Sequence, residues 1–157
     1  MGSLLVRLAR SSDRGAELIE YALIVPLLML VLLGIAEFGL FFQAFSVVSN
    51  AAREGARMGV LARETDATYY SAADIQARVA SFISTGLPAA AATPTTTVAC
   101  ESQSWGGGPA FYVGKVTVNY TYTFQFIGPI ASLFGRSFAS VPMTAVSTMR
   151  RELQACP

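Results

Sequence analysis

Arg14-Gly15-Ala16-Glu17-Leu18-Ile19-Glu20 sets a small residue, then a carboxylate five positions later, directly before an apolar run from Tyr21 to Ala36. This order suits a processing junction placed before an apolar helix that then stays in the mature chain. A secretory signal has the reverse order, with the cut after the apolar core. The plain alternative is an uncleaved single-pass anchor. A second carboxylate, Glu37, closes the run. It either sits hydrated at the outer membrane interface, the favoured placement, or faces a partner helix inside the membrane.

Other reactive groups are sparse. The chain has 157 residues and no histidine, which removes the commonest general base and transition-metal ligand. The acidic residues beyond the apolar helix, Glu64, Asp66, Asp74, Glu101 and Glu152, fall in no metal-ligand spacing. There is no G-x-S-x-G and no Cys/His pair. Gly106-Gly107-Gly108 lacks the strand-then-helix context of a phosphate loop and reads as a turn. These observations argue against an enzyme and against a bound metal or cofactor. Net charge is +1, so nothing points to nucleic acid. Tyr69, Tyr70, Trp105 and Tyr112 make either an exposed aromatic patch or, more commonly for such residues, buried packing.

The elements that position these groups follow from charge and periodicity. Arg7, Arg10 and Arg14 face a single Asp13 in the leader. By the positive-inside rule that end stays cytoplasmic and the remainder is exported. The 16 residues from Tyr21 to Ala36 span about 24 Å. That falls short of a hydrocarbon core of roughly 30 Å, so Leu18, Ile19 and Phe38 to Phe42 must extend it. Pro26 inside the run should bend the helix. Beyond the run, Phe41, Phe45, Val48, Ala52, Gly55 and Gly59 alternate with a polar stripe of Gln43, Ser46, Asn50, Arg53 and Arg57. Interleaved stripes of this kind predict one amphipathic helix, from about Ala16 to about Val60. Its small residues should meet the protein's own sheet or a neighbouring helix.

A loop over 61–70 leads to a second helix, with Ser71 and Asp74 as a capping box. Its buried stripe is Ile75, Val79, Phe82 and Ile83, and Gly86-Leu87-Pro88 ends it. A strand is expected at about Thr96 to Glu101. A second strand carries the strict alternation Val116, Val118, Tyr120, Tyr122, Phe124 and Phe126. A connector over 127–136 precedes a last strand from Val141 to Arg151, with Pro142 at its start or on an edge. The fold class is α+β: a long transmembrane helix packed on a small antiparallel sheet. The expected organisation is a leader over 1–15, a long helix over 16–60 with its membrane segment at about 18–42, and an exported head over 61–157. Cys100 and Cys156 both fall on the translocated side, where disulfides persist. Either they pair, closing a loop worth about 3–4 kcal/mol, or both remain thiols.

At residues 14–23 the chain resembles the start of TadE-like proteins, minor pilins or pseudopilins of the tight-adherence (Tad) branch of type IV pili. Gly34-Ile35-Ala36-Glu37-Phe38-Gly39 resembles the family's glycine–glutamate–phenylalanine stretch. Asn50-Ala51-Ala52-Arg53-Glu54-Gly55-Ala56-Arg57 resembles its most recognisable motif, and Met149-Arg150-Arg151-Glu152 the close of its last strand. The resemblance covers about residues 14–60 and adds nothing over 61–110. It implies a prepilin peptidase cutting after Gly15, a mature chain that starts at Ala16, and Glu20 as the pilin glutamate that meets a neighbour's new α-amino group. Glu20, Tyr21 and Glu37 then become assembly residues. Glu17 departs from the apolar residue usual at the second mature position. The implied partners are other pilins or pseudopilins, the inner-membrane assembly platform and the lipid bilayer. The implied role is pilus assembly or adhesion as a minor subunit, since the head exceeds the very short major pilins of this system. The alternative is a bitopic binding module whose head is not polymerised.

Overall fold

The computed structural model describes residues 2–61, 69–87, 93–104, 106–108, 110–133, 135 and 140–151, with backbone alone for 2–14 and 133. Helix α1 runs unbroken from Gly2 to Val60, 59 residues including Pro26. It starts earlier than its apolar periodicity predicts, because Leu4, Leu5, Leu8 and Ala9 are good helix formers and no proline separates them from Ala16. At Pro26 only one backbone hydrogen bond is lost in a helix of that length.

Helix α2, Ala72–Gly86, begins at the Ser71 cap with both halves of the capping box formed. The Asp74 amide donates to Ser71 Oγ at 3.2 Å and the Ser71 amide donates to Asp74 Oδ2 at 3.1 Å. Strands β1 (Thr95–Gln103), β2 (Phe111–Thr123) and β3 (Ser140–Arg150) form one antiparallel sheet in the order β1-β2-β3. Pro142 lies on the edge strand β3, opposite Thr121, where a missing N–H is tolerated. Gly106 and Gly107, at φ 60° and 80°, supply the left-handed turn after β1. A seven-residue helix, α3 (Ile127–Leu133), occupies the expected connector.

Helices α1 and α2 pack on one face of the sheet. The core joins Ala44, Val48, Ala51, Ala52 and Ala56 of α1 to Ile75, Val79 and Ile83 of α2. The sheet contributes Val116, Val118, Tyr120, Tyr122, Met143 and Ala145. Helix α1 thus divides into a bare proximal part and a distal part covered by the head.

Several expectations need correction. Phe45 and Phe82 are exposed, at 48% and 37%, rather than on the buried stripes. The buried face of α1 runs through alanines, which let the sheet approach closely, and Phe45 lies one position round from Ala44. The small-residue stripe meets α2 as well as the sheet. Strand β2 ends at Thr123, so Phe124 and Phe126 leave the alternation. Their backbone turns toward α1 instead. Tyr69, Tyr70 and Tyr112 are half-buried, and Trp105 lies outside the described residues.

Candidate assembly site and the carboxylate clasp

At the proximal end, α1 presents its groups freely. Ala16, Glu17 and Glu20 are exposed, Tyr21 is 65% exposed, and a side chain built on Gly15 would meet nothing within 4 Å. The segment Gly15–Val60 is long and apolar enough to cross a membrane, and none of its apolar window is buried. Leu23, Leu27, Leu30 and Ile35 all point outward. The head supplies no partner to Glu20 among the described residues, so the site that sequence marks for assembly is open.

Glu37 is the opposite case. It is 1% exposed, the one buried charged residue among those described. The carboxylate is not hydrated as expected, and it faces its own head rather than a partner helix. Oε1 accepts from the Tyr122 hydroxyl and the Gln125 amide, both at 2.9 Å. Oε2 accepts from the amides of Phe126 at 2.6 Å and Ile127 at 3.2 Å. Four donors and no acceptor around two oxygens match an ionised carboxylate. The N–H groups leaving β2 and entering α3 would otherwise be orphans. One carboxylate on α1 satisfies them and ends the strand at Thr123. Burial and the Glu37 carboxylate push the Tyr122 hydroxyl up to about 12. Rings enclose the clasp: Phe41 stacks edge-on against Tyr122 at 5.6 Å, and Phe124 does so at 5.5 Å.

The stretch Asn50 to Arg57 divides by face. Ala51, Ala52, Gly55 and Ala56 are buried, while Asn50, Arg53 and Arg57 are exposed. A Cβ on Gly55 would fall 2.7 Å from Val79 Cγ2 and 3.2 Å from Val116 Cγ1, so only glycine lets α1 sit against both α2 and β2. Gly86 performs the same service for Val47 across the α1–α2 contact. Glu54 accepts two hydrogen bonds from Arg57 at 3.0 Å and one from Arg78 of α2 at 3.4 Å. The Arg57 hydrogen bonds, with Arg78 assisting, hold the Glu54 carboxyl below its usual range despite partial burial. A cavity of about 300 Å³ opens beside this cluster, lined also by Met58, Leu61 and Tyr70.

Cys100 is half-buried on β1 opposite Gly114, with Arg151 Nη1 3.3 Å from its sulfur. Cys156 lies outside the described residues. No cluster of metal-ligating side chains occurs among the described residues. Sequence reasoning singled out Glu37 but missed Tyr122 and the 125–127 amides as its partners. Their one sequence signal was the Gly128-Pro129 pair that must end the strand nearby.

A bare apolar half-helix continuous with a half-helix clasped to a small antiparallel head is a pilin-like α+β architecture. Residues 15–57 match the family model of the TadE-like protein, a Tad-pilus-associated family. The match runs from the Gly15 junction through Glu37 to Arg57, and the head lies outside it. No curated protein and no solved structure matches the chain.

Proposed function

We propose that this chain is a minor pilin or pseudopilin of a Tad-type pilus or related secretion system. On this reading a prepilin peptidase cuts after Gly15, α1 anchors the subunit with its N-terminus cytoplasmic, and the head is exported. The observation that carries it is the matched segment standing bare over its proximal half, with Glu20 unpartnered by the head. Cleavage would put the Ala16 ammonium one helical turn from Glu20. Both groups can stay hydrated at the cytoplasmic boundary while the subunit is free. Extraction into a helical bundle would bury them, and Glu20 of one chain then pairs with the Ala16 amine of the next.

The test combines mass and assembly. Intact mass from membranes should place the N-terminus at Ala16, and Gly15→Val should leave the precursor. Glu20→Ala should be cut and folded yet fail to co-purify with assembly partners. Functional protein that retains Met1 or Gly2 would instead support the bitopic binding module. Wild-type co-purification and piliation with Glu20→Ala would remove Glu20 from the mechanism.

A further inference from the structure

The Glu37 clasp fixes the depth of the base of the head. From Glu20 to Glu37 the helix rises only about 26 Å, less than a hydrocarbon core of roughly 30 Å. With Glu20 at the cytoplasmic boundary, Glu37 lies at the outer edge of the apolar layer. Whatever binds Glu37 shares that depth. The Phe126 amide is 2.6 Å from its carboxylate, and α3 begins at the next residue and lies against α1.

The base is built for such a place. Phe126 is 41% exposed and Pro129 is exposed. No charged residue occurs between Lys115 and Arg136, so immersion desolvates no charge other than Glu37, which is already enclosed. Non-helical backbone is tolerated at membrane depth only where its polar groups are satisfied. The amides of Gln125, Phe126 and Ile127 are all satisfied, by Glu37 itself, and Ser132 Oγ donates to the Pro129 carbonyl at 2.6 Å. On the far side of α1, Phe38 and Phe42 are exposed at the same level and continue the apolar band around the helix.

We propose that Phe126 and α3 form a foot immersed in the outer interfacial zone of the lipid bilayer, seating the head on the membrane and holding it at a fixed height on α1. The proposal rests on the membrane-spanning reading of α1. The exposed Phe126 ring meets acyl chains, and the polar side chains of Gln125 and Ser132 reach the headgroups.

The test uses the full chain with Trp105→Phe, reconstituted in phosphatidylethanolamine/phosphatidylglycerol vesicles. Part of the lipid carries bromine on acyl carbons near the headgroup. Single tryptophans come from Phe126→Trp at the foot, Leu28→Trp in the membrane segment and Phe111→Trp at the start of β2. The Phe126→Trp emission should be blue-shifted and lose roughly half its intensity to the brominated lipid, unchanged on diluting protein in lipid, while Phe111→Trp keeps its emission. Equal behaviour at 126 and 111, with Leu28→Trp quenched, overturns the foot and leaves the span intact. A blue shift at 126 without quenching, lost on dilution, identifies a second copy as the cover and also overturns it. An unquenched Leu28→Trp defeats the membrane-spanning reading itself, and the foot with it. Should the melting temperature show that Phe126→Trp unfolds the head, Pro129→Trp on α3 carries the same readings.

Discussion

Removing the Glu37 carboxylate leaves three backbone N–H groups and one phenol without their acceptor. Glu37→Gln keeps the shape but turns an NH2 group toward donors. It should lower the stability of the head by about 2–4 kcal/mol, and Tyr122→Phe by about 1 kcal/mol. Urea unfolding of the full chain in detergent checks both, and a loss below about 0.5 kcal/mol for Glu37→Gln would deny the clasp a structural role. Glu54 acts on a smaller scale. Its folded carboxyl lies below the ordinary value of 4.5, so its pairing with Arg57 and Arg78 stabilises the head above that pH. The contribution is lost as pH falls below 4.5 through the folded value. Both arginines are more than half exposed, so solvent screening keeps the contribution under about 1 kcal/mol. Glu54→Gln should therefore lower the neutral plateau of melting temperature slightly, leave the acid end unchanged and so flatten the acid limb.

The elements meet where side chains are smallest. Helix α1 offers alanine and glycine to α2 and β2, so their approach depends on what α1 lacks. Gly55→Ala should lower head stability by about 1–3 kcal/mol despite the better helix propensity of alanine. Val79 and Val116 are fully buried and cannot give way. Gly39→Ala, whose added methyl meets nothing within 4 Å, should be neutral or slightly stabilising. Thermal unfolding of the two variants side by side checks the contrast, and equal effects would show that close packing at Gly55 does not limit stability. Strand β2 illustrates the converse. Its alternation runs on through Phe126, but the backbone leaves the sheet at Phe124 because a buried carboxylate gives those amides a better acceptor than an open strand end would.

For the molecule as a whole, the division of α1 sets what the head can and cannot do. It covers the helix from Glu37 outward and leaves the stretch with Gly15 and Glu20 to other chains or to lipid. A Cys100–Cys156 bridge would tie β1 to the C-terminal segment and stabilise the head by about 3–4 kcal/mol. Peptide mapping without reductant should join the two segments, and free alkylation of both thiols in native protein would show that the bridge is absent.

The sequence by itself determined the long helix, its polar face, the capping box of α2 and the three strands. Each of these rests on local periodicity or on capping chemistry within a few residues. It also carried the resemblance that the family match bears out over 15–57. The tertiary structure decided which small residues of α1 are buried, where β2 stops, and what Glu37 binds. Those outcomes join residues far apart in the chain, 85 to 90 positions for the Glu37 hydrogen bonds. A carboxylate at the end of an apolar run looks interfacial from its neighbours alone. Its burial follows from three distant amides and a phenol that reach it only once the sheet has folded onto the helix.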